Sequence, residues 1–352
     1  MIKRKTYSSV AALAVCAILI LLLIFEDKAS SAARESLTLV IERVLPPLFP
    51  YMVISSVIIS LDLLEPLYSL IPTEKLFRLP RCTAQVILCG LLCGFPIGAA
   101  GAARLCGNKR INAREAGVLC AISSHTSPAF LVGAVGKWWG SGNFGVYLFV
   151  MQILFCFISG IVLSRICLPK NDTNTASADF TAKSGLSSAL CNAIHDASLS
   201  CLAITGYIVF FRVSAVLLSS VLPVFAQIFT VLFEFSCGSL YGAQVGGILG
   251  AALTGFAVGY SGLAVLMQCC NFTASLGIPM KYYICTKIAE GAFLAAGGAV
   301  YASINPLSPV ASTFSPQTEL SLIRAALIIF ALLVTFLICS RCRKRNYFTH
   351  GY

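Results

Sequence analysis

Six small or polar residues, Ser123, Ser124, His125, Thr126, Ser127 and Pro128, follow one another inside an otherwise apolar stretch. Pro128 removes a backbone donor, and the hydroxyls are suited to capping the helix ends that such a break frees. Buried against hydrocarbon the cluster would be costly, so it is expected to face a cavity. Two uses for His125 stay open: donating to a solute carboxylate, or satisfying the interrupted backbone. Two glycine-rich runs belong with this cluster. One carries Gly94, Phe95, Pro96, Gly98 and Gly101; the other carries Gly255, Gly259, Tyr260, Ser261 and Gly262. Neither makes a good uninterrupted helix. Non-helical backbone at membrane depth survives only where protein or a water-filled cavity supplies its hydrogen bonds. Half-helix ends exposed there would offer free N–H groups and partial positive charge to an anionic or polar solute. For any single glycine, close helix packing is the plainer explanation.

Charges inside apolar text are the next candidates, because each costs a few kcal/mol or more in hydrocarbon. Arg212, Glu234 and Glu290 fall in this class. Glu234 and Arg212 are open to being an internal ion pair, or Glu234 to carrying a proton or cation. Gln268 and Asn271 add hydrogen-bonding groups after the second glycine run. Arg104, near the end of the first, is expected to snorkel toward the interface. Signals for catalysis are absent: no paired carboxylates at useful spacing, no phosphate loop and no Ser/His/Asp set. The three histidines are scattered and no second ligand sits near His125, so neither a metal nor another cofactor is expected. The sixteen cysteines are mostly set in apolar text and read as small hydrophobes rather than a disulfide framework. Cys339 and Cys342 form a lone Cys-x-x-Cys pair, which is weak evidence for a site.

The elements that must position these residues are legible from composition. The 352 residues are 58% apolar and 11% charged, with a mean hydropathy of +0.87. That is too little polar surface for a soluble domain, and it reads as an all-α polytopic membrane protein. The net charge of +11 sits at segment ends, where topology and anionic lipids place it, so nucleic acid is not expected as a partner. Apolar segments lie at about 10–25, 48–64, 83–105, 116–136, 145–166, 200–221, 223–241, 245–268, 282–302 and 322–339. Residues 1–28 read as a retained signal anchor, 29–168 and 187–304 as two similar repeats, 169–186 as a polar cytoplasmic linker, and 305–352 as a last span with a basic tail.

Before each repeat's first span stands an amphipathic pattern: Leu37, Val40, Ile41, Val44 and Leu45, stopped by Pro46 and Pro47, and then Leu190, Ile194, Ala197 and Cys201. The runs from Tyr51 and Tyr207, the triplets at Leu76 and Leu232, and the Ala-Gln-Val triplets at Ala84 and Ala243 occur in the same order. Such weak internal symmetry is typical of transporters built by duplication. If 83–105 and 245–268 dip in and return, eight segments cross. Lys75, Arg78, Arg81, Lys109, Arg110, Arg114, Lys170, Lys183, Lys281 and the basic tail then share the cytoplasmic side with Lys3–Lys5. One conflict stays: inverted repeats would prefer 223–241 not to cross, which on this count would put the basic tail outside.

At the runs from Val44 to Ser55, Cys93 to Leu105, Ser123 to Gly136 and Gly255 to Gln268, the chain resembles the YlbJ-type sporulation integral membrane proteins. This resemblance implies a nucleoside recognition (Gate) domain, related to concentrative nucleoside transporters, over about residues 35–302. It implies a role in endospore formation and passage of dipicolinic acid from the mother cell across the outer forespore membrane. Carried over, the family's first glycine motif is Gly94–Gly101, its polar break Ser123–Pro128 and its second glycine motif Gly255–Gly262. His125 stands where a small polar residue such as Asn is expected. Two alternatives remain beside it: a nucleoside or nucleobase transporter of the same architecture, and a non-transporting membrane scaffold for spore assembly with other sporulation membrane proteins. Cysteines placed singly at Lys109 and Lys281 are expected to label from the cytoplasmic side, and one at Lys137 from the opposite side.

Overall fold

In the computed structural model the described residues are 15–68, 71–169 and 185–305. They form helices and turns with no strand among them. The linker between the halves, the segment 322–339, the basic tail and the Cys339/Cys342 pair lie outside the described residues.

Helix α1 (Val15–Ile24) leads to α2 (Glu26–Leu39), a π turn at Val40–Val44 and α3 (Leu45–Leu61). The stop expected at Pro46 and Pro47 does not occur. Both prolines fall in the first turn of α3, and the π turn shifts the hydrogen-bond register just ahead of their rings, so the helix runs on. After α4 (Thr73–Phe77), helices α5 (Thr83–Cys93) and α6 (Ile97–Gly107) fold back on each other. A Cβ on Gly101 would lie 2.9 Å from Cγ1 of Val86, whereas a continuous helix would separate these residues by about 22 Å. Helix α7 (Ala113–Ser123) stops at the polar run and resumes as α8 (Pro128–Phe130), a π turn at Leu131–Val135 and α9 (Gly136–Trp138); α10 (Gly142–Cys167) follows.

The second half repeats this order. Helix α11 (Leu186–Val221) joins amphipathic stretch and span in one piece, followed by α12 (Ala226–Phe233) and α13 (Phe235–Val245). These two also double back: a Cβ on Gly238 would lie 3.0 Å from Cα of Val231, against about 10 Å along a continuous helix. Helices α14 (Gly247–Tyr260) and α15 (Gly262–Thr273) then run on as one interrupted stretch, Gly247–Leu276, and α16 (Lys281–Ile304) closes the described chain.

The fold-back of the second half therefore lies at Glu234, within 223–241, and not in 245–268 as the sequence pattern suggested. The triplet matches misled for the same reason. Ala84 opens the first hairpin while Ala243 closes the second, and Leu76 lies in α4 while Leu232 lies in α12. Apolar helices share residue types whatever their place in the fold, so short matches slide between them.

Among the described residues four stretches are long and apolar enough to cross a membrane: Ala113–Trp138, Gly142–Cys167, Leu186–Val221 and Gly247–Leu276. Their burial is that of a protein in an apolar solvent. On α10 the residues Val146, Val150, Leu154, Ile158, Val162 and Ile166 are all exposed, and their spacing of four lines them along one side of the helix. The small or polar side, Gly145, Gln152, Ser159, Gly160 and Ser164, is buried. The amphipathic faces behave alike. Leu37, Ile41, Leu190 and Ile194 are exposed, while Ala193, Ala197 and Cys201 pack with Val40, Met52, Val53 and Val57. The large aliphatics thus face outward, because hydrocarbon solvates them as well as a core would and small residues let helices approach.

The first hairpin is tied down at its open end. Asp62, left-handed at the C-cap of α3, accepts from Arg110 Nη2 at 2.9 Å, from Gln85 Nε2 at 2.8 Å and from the Tyr68 hydroxyl. Gln85 opens α5 and Arg110 follows α6, so one carboxylate joins both legs of the hairpin to α3. Burial, and then Asp62 itself, hold the Tyr68 phenol well above its ordinary range. The ion pair is about 15% exposed on each side, so removing one partner leaves a poorly solvated charge. Asp62→Asn is expected to lower stability by about 3 kcal/mol, read as an earlier unfolding midpoint in detergent.

Candidate functional site

The interruption between α7 and α8 sets the centre of the molecule. Residues Ser124–Ser127 lie between the two helices, and Ser123, Ser124, His125 and Thr126 are buried, so backbone groups freed by the break need partners from elsewhere. Gln152 on α10 supplies two: its Nε2 donates to Thr126 O at 2.9 Å and its Oε1 accepts from Thr126 N at 3.2 Å. Thr126 Oγ1 donates to Val258 O on α14 at 3.2 Å. Cys156 Sγ lies 3.0 Å from Ile122 O. Ser127 caps α8, its Oγ accepting from Phe130 N at 3.3 Å. Ser123 Oγ donates to Leu119 O at 2.7 Å.

His125 faces two acceptors. Its Nε2 lies 2.8 Å from Ile122 O, and its Nδ1 lies 2.9 Å from Glu290 Oε1 on α16. A carbonyl can only accept, so Nε2 carries a proton. The second oxygen of Glu290 accepts from Lys287 Nζ at 2.6 Å. All three side chains are at most 2% exposed. His125 thus meets a carbonyl at the broken end of α7 and a carboxylate of the protein itself.

Both hairpin tips and the second interruption close on this cluster. Gly94 turns the first tip with φ +82°, and a Cβ there would sit 2.8 Å from Ser127 N; a Cβ on Gly98 would sit 2.2 Å from Ser123 O. Glycine is required at both places by close approach, and at Gly94 by the dihedral as well. Phe95 meets Phe235, at the second tip, with ring centres 5.7 Å apart, and Phe235 meets Phe130 at 4.9 Å. Lys287 Nζ lies 5.2 Å from the centre of the Phe95 ring. The α14–α15 break falls at left-handed Ser261, φ +72°, and a Cβ on the next residue, Gly262, would lie 3.0 Å from Phe233 O. Four chain interruptions thus share one buried point, roofed by aromatic rings.

Other expected site residues fall elsewhere. Glu234 makes no ion pair with Arg212. Its carboxylate caps α13, accepting from Ser236 N at 3.1 Å and Cys237 N at 2.8 Å, so the N-terminus of that half-helix is already occupied by the chain's own charge. Gly255 and Gly259 are not interruptions, because α14 is helical through both. They admit α16: Cβ atoms there would lie 2.2 Å from Leu294 O and 2.6 Å from Glu290 O, so small-residue packing is their explanation. Tyr260 stacks on Phe256 with ring centres 5.5 Å apart. Gln268 is buried on α15, while Asn271 is exposed at its far end. Arg104 does not simply snorkel. It donates to Ser56 O at 3.1 Å, to Ser60 Oγ, and to Asp196 on α11 at 2.9 Å. It borders a cavity of about 350 Å³ lined by Met52, Ser55, Ile97, Asp196, Ser200 and Phe272 among others. Among the described residues no cluster of His, Cys, Asp and Glu is placed to hold a metal.

Two residues of the centre escaped the sequence reading. Gln152 is one amide in a long apolar helix and signals little. Lys287 stands three residues before Glu290, a charge pair at helical spacing inside a span, and that spacing was a usable sign. Gln152→Leu would leave the N–H and C=O of Thr126 buried and unpaired. It is expected to cost about 2–4 kcal/mol, measured as lost thermal stability of the purified protein in detergent.

No family model matches the chain, and no solved structure matches it significantly. A curated relative does: the sporulation integral membrane protein YlbJ of Bacillus subtilis (strain 168). The two are 24% identical over a 311-residue alignment that covers 75% of this chain and 75% of that protein. The likeness read from the four sequence motifs is thus found again by whole-chain comparison. Together with the apolar helices long enough to span a bilayer, it makes this chain a multi-pass membrane protein similar to a sporulation integral membrane protein.

Proposed function

We propose that the chain is a transporter or channel for a small anionic solute, dipicolinate, across the outer forespore membrane from the mother cell. The observation that carries this reading is the meeting of two fold-back hairpins and two interrupted helices on one buried, charged point. Discontinuous helices with their breaks near mid-membrane are how many transporters build a solute site between repeated halves. The polar groups of the centre, at most a few per cent exposed, and the aromatic rings over them correspond to an occluded arrangement, in which access is gained by moving a hairpin rather than by melting a helix.

The order span, hairpin, interrupted helix, long helix occurs in both halves, which supports descent by duplication. Placing the second hairpin at 223–241 and letting 245–268 cross also resolves the charge conflict. On this reading Lys281 and the loops after α3 and α6 share the cytoplasmic side. The cavity beside Arg104 then opens near the cytoplasmic end of the first hairpin, where an anion would approach. Dipicolinate is a small planar dianion; a lysine suits its carboxylates, and aromatic side chains suit its flat ring by stacking. The reaction is movement without covalent change, and no cofactor is called for.

Proteoliposomes holding the purified chain are expected to take up labelled dipicolinate, with uridine failing to compete. Uptake of uridine uninhibited by dipicolinate would replace this reading with a nucleoside carrier. Uptake of neither would favour a scaffold. Phe235→Ala, which removes the ring joining the two tips, is expected to insert normally and lower uptake at least tenfold.

A further inference from the structure

The first hairpin faces α11 across the cavity of about 350 Å³ beside Arg104, a volume within the roughly 300–1,000 Å³ range of small-molecule sites. The charged groups lining it are Arg104 on α6 and Asp196 on α11, and Arg104 Nη2 donates to Asp196 Oδ2 at 2.9 Å. Paired, the cavity is neutral; with Asp196 turned away it presents one positive charge. Ser55 and Ser200 add no free donor, because their hydroxyls already donate to Met52 O at 3.2 Å and Asp196 O at 2.7 Å within their own helices.

The two partners of the pair are held unequally. Arg104 is fastened to α3, its Nη1 donating to Ser56 O at 3.1 Å and to Ser60 Oγ, and its side chain is 26% exposed. Asp196 lacks such an anchor. Its side chain is 55% exposed, and its other oxygen lies 3.7 Å from Nδ1 of the exposed His195. Water solvates a carboxylate there, so the pair is weak, and separating it leaves the cation behind in the cavity. The α6 wall beside Arg104 is small, formed by Ala100, Gly101 and Ala103. Among the described residues the Arg104–Asp196 pair is the one hydrogen-bonded tie from α6 to α11. Nearer the tip, Ile97 shares an apolar cluster with Ala197 and Cys201, a contact that parts without leaving a polar group unpaired.

We propose that Asp196 is a built-in competitor for the solute: it holds Arg104 until a solute carboxylate takes its place, and that exchange unties α6 from α11. One charge-assisted pair forms and another breaks, with no proton or electron transferred. Met52, Ile97 and Phe272 on the cavity wall receive the body of the solute, a burial that Asp196 does not offer and that tips the exchange. Binding at the cytoplasmic side is thereby coupled to release of the hairpin that carries Phe95. This inference rests on the transport reading and deepens it, by assigning the first contact of the anion and the step that frees the hairpin.

Calorimetric titration of the detergent-purified full chain with dipicolinate, at constant ionic strength, tests it. Arg104→Gln is expected to weaken binding at least tenfold, whereas Asp196→Ala is expected to tighten it at least threefold. In the Arg104→Gln background Asp196→Ala is expected to bring no gain, because competition requires the cation. Thermal unfolding of each variant checks that it is folded. A pair that serves stability alone predicts that both single variants weaken binding or that neither changes it, and either result overturns the proposal. An equal gain from Asp196→Ala with and without Arg104 marks a general charge effect and overturns it too. Should Arg104→Gln fail to fold, Asp196→Ala still decides: tighter binding upholds the competitor, and equal or weaker binding removes it. Uptake in proteoliposomes separates the two readings. Dipicolinate uptake with an unaltered KM in both single variants would sink the exchange and leave transport standing. Absence of uptake by the unaltered chain, with the opposite binding responses intact, would sink transport and leave the exchange standing.

Discussion

Hydrocarbon offers nothing to an unpaired N–H or C=O, and that single constraint organises this protein. Wherever a helix stops inside the apolar layer, the freed groups must be met by the chain itself. At Thr126 they are met by the amide of Gln152, at Ile122 by His125 and Cys156, and at the start of α13 by the Glu234 carboxylate. The interruptions persist because side chains of the breaks themselves and of the uninterrupted α10 supply the missing partners, with Thr126 reaching the Val258 carbonyl of α14 as well. Bringing these groups together requires glycine. Gly90, Gly94 and Gly98 leave no room for a Cβ against the backbone of Ser123 and Ser127, and the first hairpin can reach the polar break only by such an approach.

The rest of the packing follows from the same solvent. With lipid as good a home for leucine as any core, large aliphatics gain nothing by turning inward, and contacts are built from small residues instead. Helices α14 and α16 meet through Gly255, Gly259, Gly291 and Gly298. The sealed helix pair and the gathered breaks lie side by side, and Glu290 belongs to both: its carbonyl abuts Gly259 and its carboxylate holds His125 and Lys287. A rigid pair thereby carries the charged group, while Phe95 and Phe235 close over it from the hairpin tips.

Much of this was readable from the chain. Apolar content, segment lengths and the placement of lysine and arginine at segment ends pointed to an all-helical membrane protein, because burying backbone in lipid leaves few other options. The polar run Ser123–Pro128 and the turn at Gly94–Pro96 were visible as breaks, since proline and clustered hydroxyls contradict a lipid-facing helix on local grounds alone. Glu234 and Glu290 stood out by their cost in an apolar span.

Other features were decided by three-dimensional proximity. Whether a glycine marks a fold-back or a close helix contact depends on what lies across from it: Gly94 faces the break at Ser127, while Gly255 faces the flank of α16, and no local pattern distinguishes them. The second fold-back came at Glu234 because a carboxylate can cap the helix it begins, a device that looks in sequence like an isolated intramembrane charge. The carboxylate that His125 meets, Glu290, lies 165 residues along the chain, and no local pattern joins the two. Local composition settles which segments are apolar and where they break; long-range packing settles which breaks meet, because the partners of the exposed groups, such as Gln152 for Thr126, stand on helices distant in sequence.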